Sequence, residues 1–308
     1  MSKILGKYIQ SVLCFLPCGA FFDCFLSILY FVLKQKRFPN ILHPQTFNEL
    51  LLCIKIGPES YNPLRQFICD KEFVKDFVSS RVGDSYNIKT IAILTCANDV
   101  YSYKFQDKCV IKPTHMSAEV ILRKSADETL DLMRICKWFS VNYYKEYREP
   151  NYRYLQPKVI VEEMLETESG TIPNDYKFFC FHGRPIFVQV DSGRFGSHLR
   201  TFFNSKWEPL GFTVEALPSD FLQVMPENFE EMLYVAAILS KPFVFIRVDL
   251  YSFNDMIRVG ELTSFPSNCM KPFAPLCSGL SSAQIDLVVG KLFSTPEVET
   301  LDPLLVTR

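Results

Sequence analysis

From residue 158 to residue 263 the chain is a succession of apolar runs of six to nine residues, split by polar stretches: KVIVEEML (158–165), DYKFFCF (175–181), RPIFVQV (184–190), LRTFFN (199–204), PFVFIRVDL (242–250) and MIRVGELT (256–263). Runs this short, rich in β-branched and aromatic residues, read as strands. The His182-Gly183 pair and the cluster SFND (252–255) read as turns, so neighbouring runs fold back antiparallel. One helix interrupts them, PENFEEMLYVAAILSK (226–241), with Pro and acids at its start and Lys at its end, as the helix dipole favours. Upstream the pattern is helical. Thr46 and Glu49 form a capping box ahead of an apolar stripe. Residues 70–83 carry Phe73, Val74, Phe77 and Val78 on one side and a terminal Gly83, and residues 126–148 read as one long helix. Strands are expected at 90–94 and 108–113. This order gives an α+β chain with a helical region over 1–84, a mixed subdomain over 85–156 and an antiparallel sheet domain over 157–308.

Two acids end the last two strands. Period-2 alternation puts Phe243, Phe245, Arg247 and Asp249 on one face of the first, and Ile257, Val259, Glu261 and Thr263 on one face of the second. With an odd-length turn Asp249 sits opposite Glu261, about 5 Å away on the same face; a two-residue turn would separate them. Two carboxylates held so closely repel unless a cation lies between them, and hard oxygen donors suit Mg2+. The competing reading is a pair of solvated surface acids.

The charge of −1 over 308 residues carries no signature of nucleic-acid binding. Eleven cysteines stand with no CxxC pair and no histidine at zinc-ligand spacing, which reads as free thiols in a reducing cytoplasm. The N-terminal run at 11–33 is apolar and followed by Lys34, Lys36 and Arg37, but Pro17, Gly19 and Asp23 interrupt it. A central Asp costs about 3 kcal/mol in a membrane helix. Three readings stay open: a helix docked on the body of the protein, an interfacial helix making peripheral contact with the inner face of a membrane, and a spanning anchor.

The sequence has no GxxxxGK[ST] loop, no GxGxxG and no HRD with DFG. A nucleotide site must therefore be built otherwise. Lys112 ends the apolar run CVIK and Lys177 lies inside YKFFCF, and a lysine within an apolar strand calls for an anionic partner such as phosphate, or else snorkels to water. Between them VIVEEMLE runs from an apolar strand into Glu162, Glu163 and Glu166.

In this order the segments TFNELLLCIKI, VIKPTHMS, VIVEEML, DYKFFCFHGRPIFVQVDSGRF, FIRVDLY and GELTSFP resemble the TupA-like ATP-grasp family, over about residues 16–273. The resemblance implies two α+β subdomains clasping ATP. It implies that Lys112 and Lys177 contact phosphates, with His115 and Ser117 on the covering loop. The strand from Glu162 to Leu165 would hold adenine, Glu163 or Glu166 the ribose, and Asp249, Glu261 and Thr263 the Mg2+. Arg247 and Arg194, with Lys177, would stabilise the transferring phosphoryl group, and Arg194, His198 and Arg200 would receive an acidic sugar or the acyl phosphate, the competing reading being a solvated basic loop. The implied activity is an ATP-dependent carboxylate-amine ligase of surface polysaccharide synthesis. It would join a uronic acid or other carboxylate-bearing glycan precursor to an amine donor through an acyl phosphate. A glycosyltransferase of the same pathway and a noncatalytic scaffold are the alternatives. Three departures stand out. THMSAEV (114–120) replaces the HGSG-like stretch of relatives, with Met116 and Ala118 where glycine gives freedom, and SNCM follows Pro266 where glycines are expected. A third is ELT (261–263) at the place of the superfamily's ExN.

Overall fold

The computed structural model describes residues 16–193, 199–215, 223–276 and 279–306. The chain forms two compact units interleaved along the sequence. The first comprises residues up to 27, 55–77 and 88–165, and the second 28–54, 78–87 and 166 onward. Helices α1 (Ala20–Gln35), α2 (Phe47–Ile56) and α4 (Val74–Arg81) each run from one unit into the other.

In the first unit, β1 (Thr90–Leu94), β2 (Cys109–Pro113), β3 (Ile121–Arg123) and β4 (Val159–Glu162) form an antiparallel sheet in the order β1-β4-β2-β3. The alternation of β4 sets its two faces. Val159 and Val161 enter a core with Leu94, Ile111, Ile135 and Trp138, while Glu162 points the other way beside Lys112. Helices α3 (Pro63–Cys69), α5 (Ala97–Ser102), α6 (Leu132–Trp138) and α7 (Tyr143–Tyr147) complete the unit. The single helix expected over 126–148 is two. Asp131 accepts from the Arg134 amide at 2.9 Å and Asn142 from the Lys145 amide at 3.0 Å, so each starts a new helix as an N-cap.

Asp23, which interrupts the N-terminal apolar run, is a buried clamp. It accepts from the Tyr144 hydroxyl at 2.6 Å and from Arg148 Nη1 at 3.1 Å, and Arg148 also binds the carbonyls of Leu16 and Pro17. The run's first five residues, 11–15, lie outside the described residues, and among the described ones no helix is long and apolar enough to cross a membrane.

In the second unit, β5 (Asp175–Phe181), β6 (Arg184–Ser192), β7 (Leu199–Asn204), β9 (Phe245–Phe253) and β10 (Met256–Thr263) form a sheet in the order β10-β9-β5-β6-β7, antiparallel throughout. A short pair, β8 (Phe212–Thr213) with β11 (Ala274–Pro275), lies beside it in the chain order. Helix α8 (Phe229–Ser240) covers one face, burying Phe229, Met232, Val235 and Leu239, with Phe229 5.9 Å from Phe178. The opposite face is divided. At one end Phe179, Phe181, Phe187, Phe202 and Phe245 pack with Phe47 of α2 and Val289 of α9 (Ser282–Gly290). At the other end the same strands carry charge. Each buried phenyl contributes roughly 1.5–3 kcal/mol, so the aromatic end is a stiff mount for the polar end.

The β9–β10 hairpin differs from the expected one. Its turn has two residues, Asn254 and Asp255, both left-handed (φ 46° and 57°), the geometry that matches strand twist. A straight ladder from this turn would put Glu261 on the wrong face. The odd residue is taken up inside the strand: Val259 pairs with Leu250, then Glu261 with Asp249, and Gly260 is the extra residue of a bulge. A Cβ at Gly260 would lie 2.8 Å from the Tyr251 ring. Strict alternation therefore fails at Gly260, leaving Ile257 and Val259 on the face of Leu250 and bringing Glu261 and Thr263 onto that of Asp249 and Arg247.

Candidate functional site

In the second unit, register assembles the charged end of the sheet. Lys177 of β5 lies between Asp249 of β9 and Gln189 of β6, with Glu261 beyond Asp249; one step along, Asp175 lies between Tyr251 and Asp191. Lys177 Nζ donates to Asp249 at 2.9 Å and also to Asp175. Arg247 donates from Nε to Asp249 Oδ1 at 2.7 Å. Its Nη2 meets three oxygens at once: Asp249 Oδ2 at 2.6 Å, Thr263 Oγ1 at 3.1 Å and Glu261 Oε1 at 3.2 Å. Asp249 is 2 % exposed, whereas the Glu261 side chain keeps 37 % exposure, so the cluster opens at its Glu261 side. Burial pushes the Asp249 carboxyl above its ordinary range, with Arg247 and Lys177 pulling against it. Burial alone would push the Arg247 guanidinium down; Asp249 and Glu261 reverse that and raise it.

Three oxygens converging on one cationic nitrogen test the expected metal position. Two carboxylates and a hydroxyl are hard donors of the kind Mg2+ takes, and they already point at a single cation-sized place, so the donor set fits. Among the described residues no group of three or more His, Cys, Asp or Glu side chains is arranged to hold a metal. The set here has two carboxylates and depends on Thr263 for its third protein oxygen.

At the sheet's other edge Arg200 of β7 grips Asp191 through Nε at 2.6 Å and Nη2 at 3.1 Å, and donates to the Val214 carbonyl at 2.5 Å. Arg194 and His198 lie outside the described residues. Glu166, the second unit's first residue, is half-buried, and its carbonyl accepts from Asn254 at 3.3 Å.

In the first unit the polar centre is Glu162, 4 % exposed and held by Lys112 at 2.6 Å and Lys75 at 2.7 Å. Burial pushes its carboxyl up, and the two ammonium groups outweigh that and lower it. Glu162 is thus the anchor of two lysines. Its neighbour Glu163 is half-buried, with its amide on the Lys89 carbonyl at 3.0 Å, and Leu165 is buried. His115 is 4 % exposed, its ring facing the backbone of Trp138 and Val141 without a well-formed hydrogen bond, and burial together with Lys71 lowers its pKa. Ser117 is half-buried on the same loop, where Lys71 Nζ donates to the Met116 carbonyl at 2.5 Å. Next to it Ala118 is left-handed (φ 67°). After Pro266, Ser267, Asn268 and Cys269 are left-handed as well (φ 52°, 56° and 61°). The two stretches that lack expected glycines hold L-residues in the conformation glycine favours, each such residue costing roughly 1–2 kcal/mol.

Sequence reasoning missed Lys75 and Asp175. Lys75 reads as the polar side of an amphipathic helix, and nothing in its neighbourhood marks it. Asp175 was findable, since it stands two residues before Lys177 on one strand and must share its face.

A family model described as TupA-like ATPgrasp matches residues 54–292. No curated protein sequence matches the chain. Among solved structures, a D-alanine–D-alanine ligase from Bacillus anthracis complexed with ATP is 12 % identical with a TM-score of 0.39, the match covering 78 % of this chain and 63 % of that one. An L-amino acid ligase from Bacillus licheniformis is 10 % identical with a TM-score of 0.42, covering 71 % and 49 %. The ATP-grasp ligase PsnB complexed with minimal precursor, Mg and ADP is 12 % identical with a TM-score of 0.36, covering 70 % and 58 %. The chain spans between half and two thirds of the length of these solved proteins.

Proposed function

The chain belongs to the TupA-like ATP-grasp family, and from that membership we propose that it is an ATP-dependent ligase joining a carboxylate to an amine. The observation that carries the proposal is the convergence of Asp249, Glu261 and Thr263 on one cationic position beside Lys177. Mg2+ held by these three side chains, in the place that Arg247 Nη2 takes in this structure, would offset the charge of the ATP phosphates. Lys177 and Arg247 carry the remaining positive charge on that face and would hold the negative charge that builds on the transferring phosphoryl oxygens. A carboxylate oxygen attacks the γ-phosphorus, the bond to the β–γ bridging oxygen breaks and ADP leaves. The amine nitrogen then attacks the acyl carbon, the carbon–oxygen bond breaks and phosphate leaves, with one amine proton passing to water. No covalent enzyme nucleophile is needed.

The finer reading is that the carboxylate belongs to a uronic acid or similar glycan precursor of a surface polysaccharide such as a capsule, and that the reaction takes place in the cytoplasm. The family resemblance supports it, and Arg200 is the basic side chain among the described residues assigned to the acidic sugar. The test is purified protein with Mg-ATP, a nucleotide-linked uronic acid and a pool of amino acids. ADP and phosphate are released together, and Asp249→Ala stops the release. Unchanged turnover in that variant would overturn the metal assignment.

A noncatalytic relative is the rival reading, and one observation favours it: Asp249 is held by Arg247 and Lys177, and Lys112 by Glu162. Calorimetry separates the two. A folded protein that takes up no ATP at millimolar concentration is the scaffold.

A further inference from the structure

In the second unit the stretch from Lys36 to Thr46, between α1 and α2, is pinned by one carboxylate. Glu49 accepts from the amides of Asn40 (3.1 Å), Thr46 (3.2 Å) and Gln45 (3.3 Å) and from Arg37, which also reaches Thr46 Oγ1 (2.9 Å) and Asp286 (3.3 Å). His43 closes on Asn40 Oδ1 at 3.0 Å. Polar bonds therefore fix the loop, and its apolar side chains point outward: Phe38 is 81 % exposed, Leu42 86 % and Ile41 38 %. A lone exposed apolar residue is ordinary, but three within five residues on a pinned loop form a projecting tip. Cations flank it. Lys34 and Lys36 are exposed, residues 28–48 contain no acid, and the one acid that follows, Glu49, is buried in the loop's own bonds.

We propose that this loop docks on an anionic lipid bilayer, with Phe38, Ile41 and Leu42 at the boundary of headgroups and acyl chains and Lys34 and Lys36 on lipid phosphates. The tip is too small for a stable protein interface, which takes about 800 Å² per partner, and a shallow apolar wedge ringed by lysines is what an anionic surface accepts. Of the apolar run upstream, Leu26, Ser27 and Phe31 of α1 are buried and Asp23 is clamped, while Phe21 and Phe25 are exposed.

The test uses the full chain without nucleotide, floated with phosphatidylcholine vesicles either neutral or containing about 30 % phosphatidylglycerol. The expected result is binding to the anionic vesicles only, weakened about tenfold between roughly 0.05 M and 0.5 M salt. Phe38→Ser with Leu42→Ser lowers binding at least about tenfold, and Lys34→Glu with Lys36→Glu about 30-fold, with circular dichroism unchanged. Leu42→Trp gives a second readout, a blue shift of its added fluorescence on anionic vesicles. The proposal is overturned by equal binding to neutral vesicles, by no binding, by variants that float like the parent, or by self-association that Phe38→Ser abolishes. None of these outcomes touches the ligase reading, which is measured in solution with ATP.

Discussion

The two sheets handle the same difficulty, charge in the middle of apolar strands, with opposite balance. In the first unit two lysines, Lys75 and Lys112, hold one acid, Glu162. In the second, three acids, Asp175, Asp249 and Glu261, surround two cations, Lys177 and Arg247. A cluster with a surplus cation has something to offer an anion such as a phosphate, and one with a surplus acid has something to offer a metal ion. Burial alone would favour neutral pairs, so the surpluses are the informative part.

The largest test removes the acid both cations share. Asp249→Ala leaves Lys177 and Arg247 without their buried partner, and turnover of ATP falls more than about 100-fold while stability drops by about 3–5 kcal/mol. A phosphate-release assay beside a thermal melt separates the two losses, and a variant with normal turnover would break the assignment of this cluster to the reaction. Next comes the cation surplus of the first unit. Lys112→Ala weakens ATP binding about tenfold by calorimetry, and Glu162→Gln does not weaken it, since removing the acid leaves both lysines. The reverse order would mean that the lysines serve only Glu162. Third, Gly260→Ala costs about 1–3 kcal/mol by denaturant melt, because its Cβ meets the Tyr251 ring, and Tyr251→Ala in the same chain recovers most of the loss.

A buried acid away from both clusters gives a control. Burial pushes Glu149, near Lys55, up to about 7, with Lys55 opposing. Its folded pKa lies above the unfolded value, so its contribution is full below about pH 4.5 and is lost as pH rises through about 7. Glu149→Gln is expected to flatten the fall in melting temperature between about pH 5 and 8 without altering ATP binding. The smallest effect is at the loop after β2, where Ala118→Gly relieves a left-handed alanine and stabilises by about 1 kcal/mol.

Much of this was legible in the sequence. The six strand runs, the capping box at Thr46 and Glu49, and the face shared by Arg247 and Asp249 follow from period, whereas Glu261 reaches that face through the bulge at Gly260 and not through the odd-length turn the sequence suggests. The break at Asn142 was not, because a capping asparagine inside an otherwise helical pattern carries no mark of its own. Nor was the ownership of Lys112: only the pairing of β2 with β4 shows that Glu162 holds it, and long-range pairing is not written in local periodicity. The missing glycines at 118 and 267–269 were visible as a composition change, but that the backbone keeps glycine's conformation there required the structure.

Eleven residues separate Asp249 from Glu261, and the bulge makes that number dispensable. Were Gly260 deleted, a straight ladder from the same two-residue turn would still set the two acids face to face. The hairpin therefore tolerates two spacings, and relatives with either one align correctly only if a one-residue gap is allowed at this strand. A pattern search with a fixed interval between the acids would discard homologues whose sites are intact.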